Sequence, residues 1–382
     1  MYLSEFLYQE ASGMNYKELD TPALIIDREK MIDNLHFMQD YADRQGVVLR
    51  PHTKTHKMPA IAKLQEQLGA KGITVAKVGE AEVMAQNGLQ DIFIANEIVG
   101  KQKLERIRAL VRSGITISFA VDTPCQVEAA EEVFAKEENP ARLLIEIEVG
   151  ENRSGIIHEA DFTALLETIR RCAHVEFAGI FSHEGHCYNA ETVEDCREKF
   201  IISQERTLSF ARLARELGMI PQVVSIGSTP SLMNGFDILP GITEIRPGTY
   251  VLMDASQGHA IGTLDRCAAT VLTTVISRPT AERVITDVGA KGLTAQTRQK
   301  GICATPGLGT VKGFESVHIF DVYDEHAIIY DKAFRDEVRV GDKVEFYPVH
   351  ICPVCNLYEK AVLVSNGDVV EEIPILCRGR LQ

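Results

Sequence analysis

From Ala23 onward, short runs rich in β-branched residues alternate with stretches whose apolar residues recur every three or four positions. This alternation constrains the fold more than any other feature of the chain. The strand candidates are "ALIID" from Ala23, "GVVLRPH" from Gly46, "GITVAK" from Gly72, "DIFIAN" from Asp91 and "ITISFAVD" from Ile115. They continue with "RLLIEIEVG" from Arg142, "VEFAGIFSHEG" from Val175, "PQVVSIGST" from Pro221 and "TEIRPGTYVL" from Thr243. Segments such as "MPAIAKLQEQLGA" and "EKFIISQERTLSFARLARELGM" supply helices between them. Such alternation marks βαβ units and a parallel sheet. Eight or nine strands over roughly 230 residues suit an α/β fold of the (β/α)8 TIM-barrel type better than a short open sheet. A doubly wound dinucleotide fold is disfavoured: no G-x-G-x-x-G follows the first strand, and "GLGTVKG" at Gly307 has the wrong spacing.

After about residue 260 the texture changes. "AATVLTTVISRP", "ERVITDVG", "HAIIYD", "DKVEFYPVHIC" and "KAVLVSNGDVVEEIPIL" read as strands joined by turns such as "NGD", with little helical pattern. The expected organisation is an N-terminal segment 1–22 packing on the β-domain, a barrel over 23–258, and a C-terminal β-rich domain over 259–382.

Forty basic against fifty-four acidic side chains leave a formal charge of −14, which argues against nucleic acid or an anionic membrane as a partner. No apolar run reaches the roughly eighteen residues of a membrane span. The first residues, "MYLSEFLYQEASGM", lack the basic and apolar blocks of a signal peptide. Nine scattered cysteines suit reduced thiols better than a disulfide framework. A cytoplasmic protein is expected.

In a (β/α)8 barrel, functional residues gather at the C-terminal ends of the strands. Polar clusters fall at those ends here: "RPHTKTHK", Lys77, "ANE", "GENRSG", "SHEGH" and "GSTPS". A single lysine or Gly-Ser-Thr turn at a strand end is usually a solvated loop. Three clusters make chemical sense together. Lys54 sits among Arg50, His52, His56 and Lys57, and neighbouring positive charge depresses an amine's pKa, as a Schiff-base lysine requires. The turn Gly227, Ser228, Thr229 offers backbone N–H groups and two hydroxyls to a phosphate. Arg153 can meet a cofactor oxygen or a substrate carboxylate. An amine, a phosphate cradle and an arginine describe a pyridoxal 5'-phosphate site.

The stretch "HICPVCN" from His350 to Asn356 holds both Cys-x-x-Cys and His-x-Cys. If "DKVEFYPVHIC" is one strand, period two puts His350 and Cys352 on the same face, where imidazole and thiolate can share a zinc ion. Cys355 lies beyond a proline and need not join them. Two protein ligands leave positions open for water and substrate, which makes a Lewis acid. The competing readings are no metal at all, and a redox dithiol. A thioredoxin-like dithiol is expected early, at a helix start in a βαβ unit.

The ordered set "LRPHTKTHK", "GENRSG", "FSHEGHCY", "SIGSTPS", "EIRPGTYVLMD", "DVGAKGLTAQ" and "HICPVCNLYE" resembles the alanine-racemase-like (fold-type III) pyridoxal-phosphate enzymes. Within them it is similar to the D-serine dehydratase and D-threonine aldolase group. The resemblance implies a homodimer built from a (β/α)8 barrel and a β-domain. It also implies Lys54 as the cofactor lysine and Cα base, and Gly227, Ser228 and Thr229 with Tyr250 as the phosphate grip. Arg153 would lie by the ring oxygen, and the segment 181–188 would face the pyridine nitrogen. His183, His186 and Tyr188 are implied acid–base groups, each as readily a packing residue. His350 and Cys352 would hold Zn2+ or another divalent metal. The dehydratases of this group carry His-x-Cys where the aldolases carry His-x-Asp, so the chain is expected to eliminate the β-hydroxyl of a D-3-hydroxy amino acid, giving a 2-oxo acid and ammonia. A D-threonine or 3-hydroxy-D-aspartate aldolase, a racemase and a zinc/thiol redox protein are the alternatives.

Overall fold

The computed structural model describes residues 13–382. The chain folds into two compact units. One gathers residues 38–54, 65–248 and 379–382, and the other takes the described residues up to Phe37 together with 55–64 and 249–378.

Strand β1 (Ala23–Asp27) stands apart from the eight that follow it. These are β2 (Val48–Leu49), β3 (Ile73–Val75), β4 (Asp91–Glu97), β5 (Thr116–Val121), β6 (Ala141–Ile147), β7 (Val175–Ser182), β8 (Val223–Ile226) and β9 (Glu244–Ile245). They form one sheet in the order β2-β9-β8-β7-β6-β5-β4-β3, with every pairing parallel. The sheet curls until its two ends touch. His52 bridges Thr74, the Thr74 N–H donates to Pro51 O and the Thr53 N–H donates to Thr74 O, both at 2.8 Å. Helices cover the other face, which is why these strands are nearly continuous apolar runs.

One position decides which side chains reach the concave face. Between β6 and β7 the register slips by one residue, so that Arg142 faces Glu176 but Glu146 faces Phe181. Such a bulge moves every later side chain of the strand to the opposite face. Gly179 sits at the slip with φ +155°, and a Cβ there would meet Val223 O at 2.0 Å. Only glycine fits. The shift lets Phe181 join Phe93, Ala120, Leu144 and Ala178 in one buried cluster drawn from four adjacent strands. It also carries His183, two residues on, to the concave side.

The second unit is β-rich. Its strands are β10 (Ala269–Ser277), β11 (Arg283–Thr286), β12 (Gly309–Val311), β13 (Phe314–His318), β14 (Asp321–Val322), β15 (Ala327–Tyr330), β16 (Lys343–Pro348), β17 (Lys360–Ser365) and β18 (Asp368–Pro374). The main sheet runs β13-β12-β16-β10-β1-β17-β18, and β11, β15 and β14 extend from β10. Strand β1, expected to open the barrel, pairs antiparallel with β10 and parallel with β17 instead. Its Leu24, Ile25 and Ile26 are all buried, as a central strand covered on both faces requires. Ile25 packs with Leu272, Val362, Val364 and Val369, and Tyr16 and Leu19 close over them. Of the segment 1–22, residues 1–12 lie outside the described residues. In the remainder, Asn15 bridges Asp368 and the Tyr16 hydroxyl donates to Glu345 Oε1 at 2.7 Å.

The stretch "DKVEFYPVHIC" is not one strand, contrary to expectation. Strand β16 ends at Pro348, and Ile351–Cys355 is a short helix with His350 as its N-cap residue. Strand alternation therefore does not apply to His350 and Cys352.

Candidate active site

The polar groups of the curled sheet converge where its strands end. Lys54 follows β2 in a turn and is half-buried. Arg50, expected to crowd it with positive charge, is instead offset by Glu244 at 2.7 Å and Asp91 at 2.9 Å. The groups within electrostatic reach of Lys54 are instead His52, His183 and the Glu151 carboxyl. His52 lies far below the usual histidine range, through burial first, then the charges of Lys54 and Arg246 and the neighbouring His183. His183, after β7, is pushed down by burial and by Lys54, Arg153 and Arg246. Both imidazoles are neutral at pH 7. His183 Nδ1 lies 2.6 Å from Gly227 O. A carbonyl only accepts, so Nδ1 carries the hydrogen and Nε2 keeps its lone pair.

Arg246 was not singled out by the sequence reading, though it stands in the quoted "EIRPG". It follows β9 and is buried at 6% exposure. Its guanidinium donates to Ser182 O at 2.7 Å and to the Ser225 hydroxyl, and lies over the rings of Phe181 and Phe93 at 5.1 and 5.8 Å. Burial costs are offset here by hydrogen bonds and ring faces. Phe181 itself packs edge-on to Phe93, 5.0 Å between centroids, within the apolar cluster. It has no polar atom to turn towards a ring nitrogen.

Arg153 is half-exposed and reaches Glu146 at 3.5 Å and Glu151 at 3.4 Å. Glu146 also accepts from the Ser154 hydroxyl at 2.8 Å. Glu97, at the end of β4, has its carboxyl pushed up to about 8 by burial and by the Glu146 carboxyl beside it. Glu97 therefore largely keeps its proton at neutral pH. The rings of His183 and Tyr188 are 6.4 Å apart. Around the turn after β8, Ser228 and Thr229 are buried at 2% and 1% exposure, and Gly227 is packed so closely that a Cβ would meet the Arg246 backbone at 3.0 Å.

Several polar atoms at these strand ends are buried and have no hydrogen-bond partner: His52 Nδ1, Glu97 Oε1 and Glu184 Oε1. Buried polar atoms are nearly always satisfied, so such a gathering indicates room for a polar ligand. A lysine, two neutral imidazoles and a close-packed Gly-Ser-Thr turn fit pyridoxal phosphate.

In the β-rich unit, Tyr250 is fully buried. His350 Nδ1 lies 3.0 Å from Gln296 Oε1. The half-buried Cys352 thiol lies 3.3 Å from the Thr55 hydroxyl and 3.7 Å from that of Thr249. Cys355 is fully buried, and burial, with Cys352 beside it, raises its thiol pKa well above the usual range. A buried neutral thiol is a poor metal ligand. Among the described residues no group of three or more His, Cys, Asp or Glu is placed to hold a metal ion. One imidazole and one half-exposed thiol fit a zinc bound by two protein groups, by the chemistry of the donors. All nine cysteines are free thiols, and no described helix is long and apolar enough to cross a membrane.

Comparison with known proteins matches two family descriptions. Residues 26–256 match the alanine racemase N-terminal domain, and residues 268–364 a putative serine dehydratase domain. The chain is 34% identical to a D-threonine aldolase of Arthrobacter sp over 359 residues, covering 93% of this chain and 91% of that one. The solved D-threonine aldolase of Filomicrobium marinum superposes with a TM-score of 0.88 at 28% identity, covering 97% and 99% of the two chains. A variant of a D-threo-3-hydroxyaspartate dehydratase, solved in a metal-free form, superposes with a TM-score of 0.85 at 26% identity, covering 94% and 98%.

Proposed function

Because the chain belongs to the alanine-racemase-like, fold-type III family of pyridoxal-phosphate enzymes, we propose that it is a zinc-assisted lyase that eliminates the β-hydroxyl of a D-3-hydroxy amino acid, giving a 2-oxo acid and ammonia. The curled sheet is in this reading a closed (β/α)8 barrel that carries the cofactor within residues 23–258, while residues 259–382 carry the metal ligands.

Pyridoxal phosphate, when bound, supplies an electron sink for bonds broken at Cα, and a divalent metal, when bound, polarises the β-oxygen. The chain's own groups do the rest. Lys54 bonds the cofactor and, once released, takes the Cα proton, with the neutral imidazoles of His52 and His183 and the Glu151 carboxyl near it. Gly227, Ser228 and Thr229, with Tyr250, hold the phosphate. Arg153 meets the ring oxygen. His183 Nε2 and the Tyr188 hydroxyl are the candidate proton carriers. His350 and Cys352 hold the metal.

The observation that carries elimination over carbon–carbon cleavage is the His350-x-Cys352 pair, the pattern that the resemblance gives to the dehydratases, with the Cys352 thiol beside two threonine hydroxyls. The 34% identity to a D-threonine aldolase favours a second reading, cleavage to glycine and an aldehyde. Product analysis separates them. With D-serine, D-threonine and D-3-hydroxyaspartate in turn, elimination gives a 2-oxo acid and ammonia in equal amounts. Glycine with an aldehyde as the main products assigns the aldolase reaction instead.

A homodimer is part of the same reading, since the family's sites are completed by a second subunit. Sedimentation of the loaded enzyme should give a mass of twice the 42.3 kDa chain. An active species sedimenting as a single chain excludes the shared site. A cytoplasmic setting is part of the same reading, supported by nine cysteines of which none is placed in a disulfide.

A further inference from the structure

Glu184 has no role in the chemistry described so far, yet its surroundings are unusual. It follows β7 in "SHEGH" and is completely buried. Its Oε2 accepts the Gly227 N–H at 3.4 Å, within the turn assigned to the cofactor phosphate. Its Oε1 is buried with no hydrogen-bond partner. The oxygen that accepts from an N–H keeps its lone pair free, so a proton on this carboxyl sits on Oε1. A buried O–H donor with no acceptor, next to a turn suited to phosphate, is a donor waiting for an oxygen.

We propose that Glu184 is a buried carboxylic acid that stays protonated when the cofactor's phosphate dianion enters the Gly227–Thr229 turn, donating from Oε1 to it, so that cofactor binding is linked to one proton. This rests on the pyridoxal-phosphate reading and adds a positioning residue to it.

Charge requires the proton. A phosphate monoester is close to a dianion above its second pKa near 6, and an ionised carboxylate against it in a buried turn repels it strongly. The groups facing Glu184 come from several elements. They are Arg246 after β9, the hydroxyl of Ser228, the Tyr41 phenol on the helix Arg28–Gln45, and the thiols of Cys187 and Cys196; His183 adjoins it in sequence. Burial lifts the Glu184 carboxyl to about 7, against the opposing pull of its own N–H, Arg246 and the Gly227 N–H. A dianion alongside raises it further. A group whose pKa is higher in the complex favours binding at low pH. Affinity is therefore greatest below about 7 and falls as pH rises towards the pKa in the complex, by up to about tenfold per unit for one proton.

The probe is pyridoxamine 5'-phosphate, which cannot bond to Lys54, titrated into the cofactor-free full-length protein from pH 6.5 to 9. Pyridoxamine without phosphate corrects for ionisations of the ring and amine. The unaltered protein should lose affinity with a slope approaching tenfold per unit above pH 7, and Glu184→Gln should flatten that slope and bind more tightly than the unaltered protein at pH 8.5. Equal slopes in the two proteins overturn the proposal. If Glu184→Gln does not fold, calorimetry of the unaltered protein at pH 8 in buffers of different ionisation enthalpy decides. Uptake approaching one proton per phosphate bound supports the proposal, and none refutes it. Absence of saturable binding at every pH, for pyridoxal phosphate as well, instead removes the cofactor reading on which the proposal stands.

Discussion

Lys54→Ala should leave a folded protein that no longer holds pyridoxal phosphate covalently and whose lyase activity has dropped about 10²–10⁴-fold, the usual loss for a positioned proton carrier. Folding survives because Lys54 stands half-buried in a turn beyond β2 rather than in the apolar cluster. Borohydride treatment of the unaltered protein, expected to be yellow, followed by peptide mapping, checks the assignment directly, with the label expected on "PHTKTHK" at Lys54. The competing lysines are otherwise engaged. Lys57 is buried with Nζ 3.5 Å from Cys377 O. Lys291 is exposed and pairs with Glu325 at 2.8 Å. Label on Lys57, Lys77 or Lys291 would falsify the cofactor site as drawn.

The second large effect separates two cysteines three residues apart. Cys352→Ala should lose the bound metal and at least about 100-fold in elimination, since Lewis-acid activation of a leaving oxygen is worth several kcal/mol. Bound pyridoxal phosphate should remain. Exchange of the Cα proton with solvent should persist, because that step needs Lys54 and the ring but not the metal. Cys355→Ala should keep metal and activity, and lose only roughly 1 kcal/mol of stability from a small buried void. Metal content by elemental analysis, together with deuterium incorporation at Cα, reads both variants. Equal loss from the two substitutions, with full activity in chelator, belongs to a dithiol and excludes the metal.

Why the two cysteines differ was only half legible in the sequence. The reading separated them by strand alternation, but the strand stops at Pro348 and His350 caps a helical turn. What separates them instead is burial: Cys352 meets hydroxyls at a half-exposed position, whereas Cys355 is sealed in the core. A run such as "PVHIC" is too short for periodicity to tell strand from helical turn. The strands of the curled sheet were legible because each is an apolar run ending in polar residues. Their partners were not, since pairing depends on contacts far away in sequence. "ALIID" looks the same whether it opens a barrel or fills the centre of another sheet. Arg246 and Glu184 escaped notice for a related reason. A charged residue at a strand end is ordinary in sequence, and only burial against Phe93 and Phe181, or beneath the Gly227 turn, makes it unusual. The bulge at Gly179 left no signal either, because a glycine within a strand can be merely tolerated.

The position of β1 has a consequence for how the chain is made. Arg28, just past that strand, donates to the Ser365 hydroxyl, 337 residues later. Synthesis at roughly 5–20 residues per second therefore leaves the first strand waiting about 17–70 seconds for its partner β17. The curled parallel sheet, whose strands all lie between residues 48 and 245, can be completed during that interval. Until β10 emerges to pair with it, "ALIID" is an apolar segment with no sheet to join, the kind of sequence that chaperones bind and that pairs with copies of itself. A fragment beginning at residue 259 lacks the strand that lies between β10 and β17. Expressed alone, it has two unpaired strand edges at its centre, and supplying residues 13–37 as a separate peptide is the economical way to restore it.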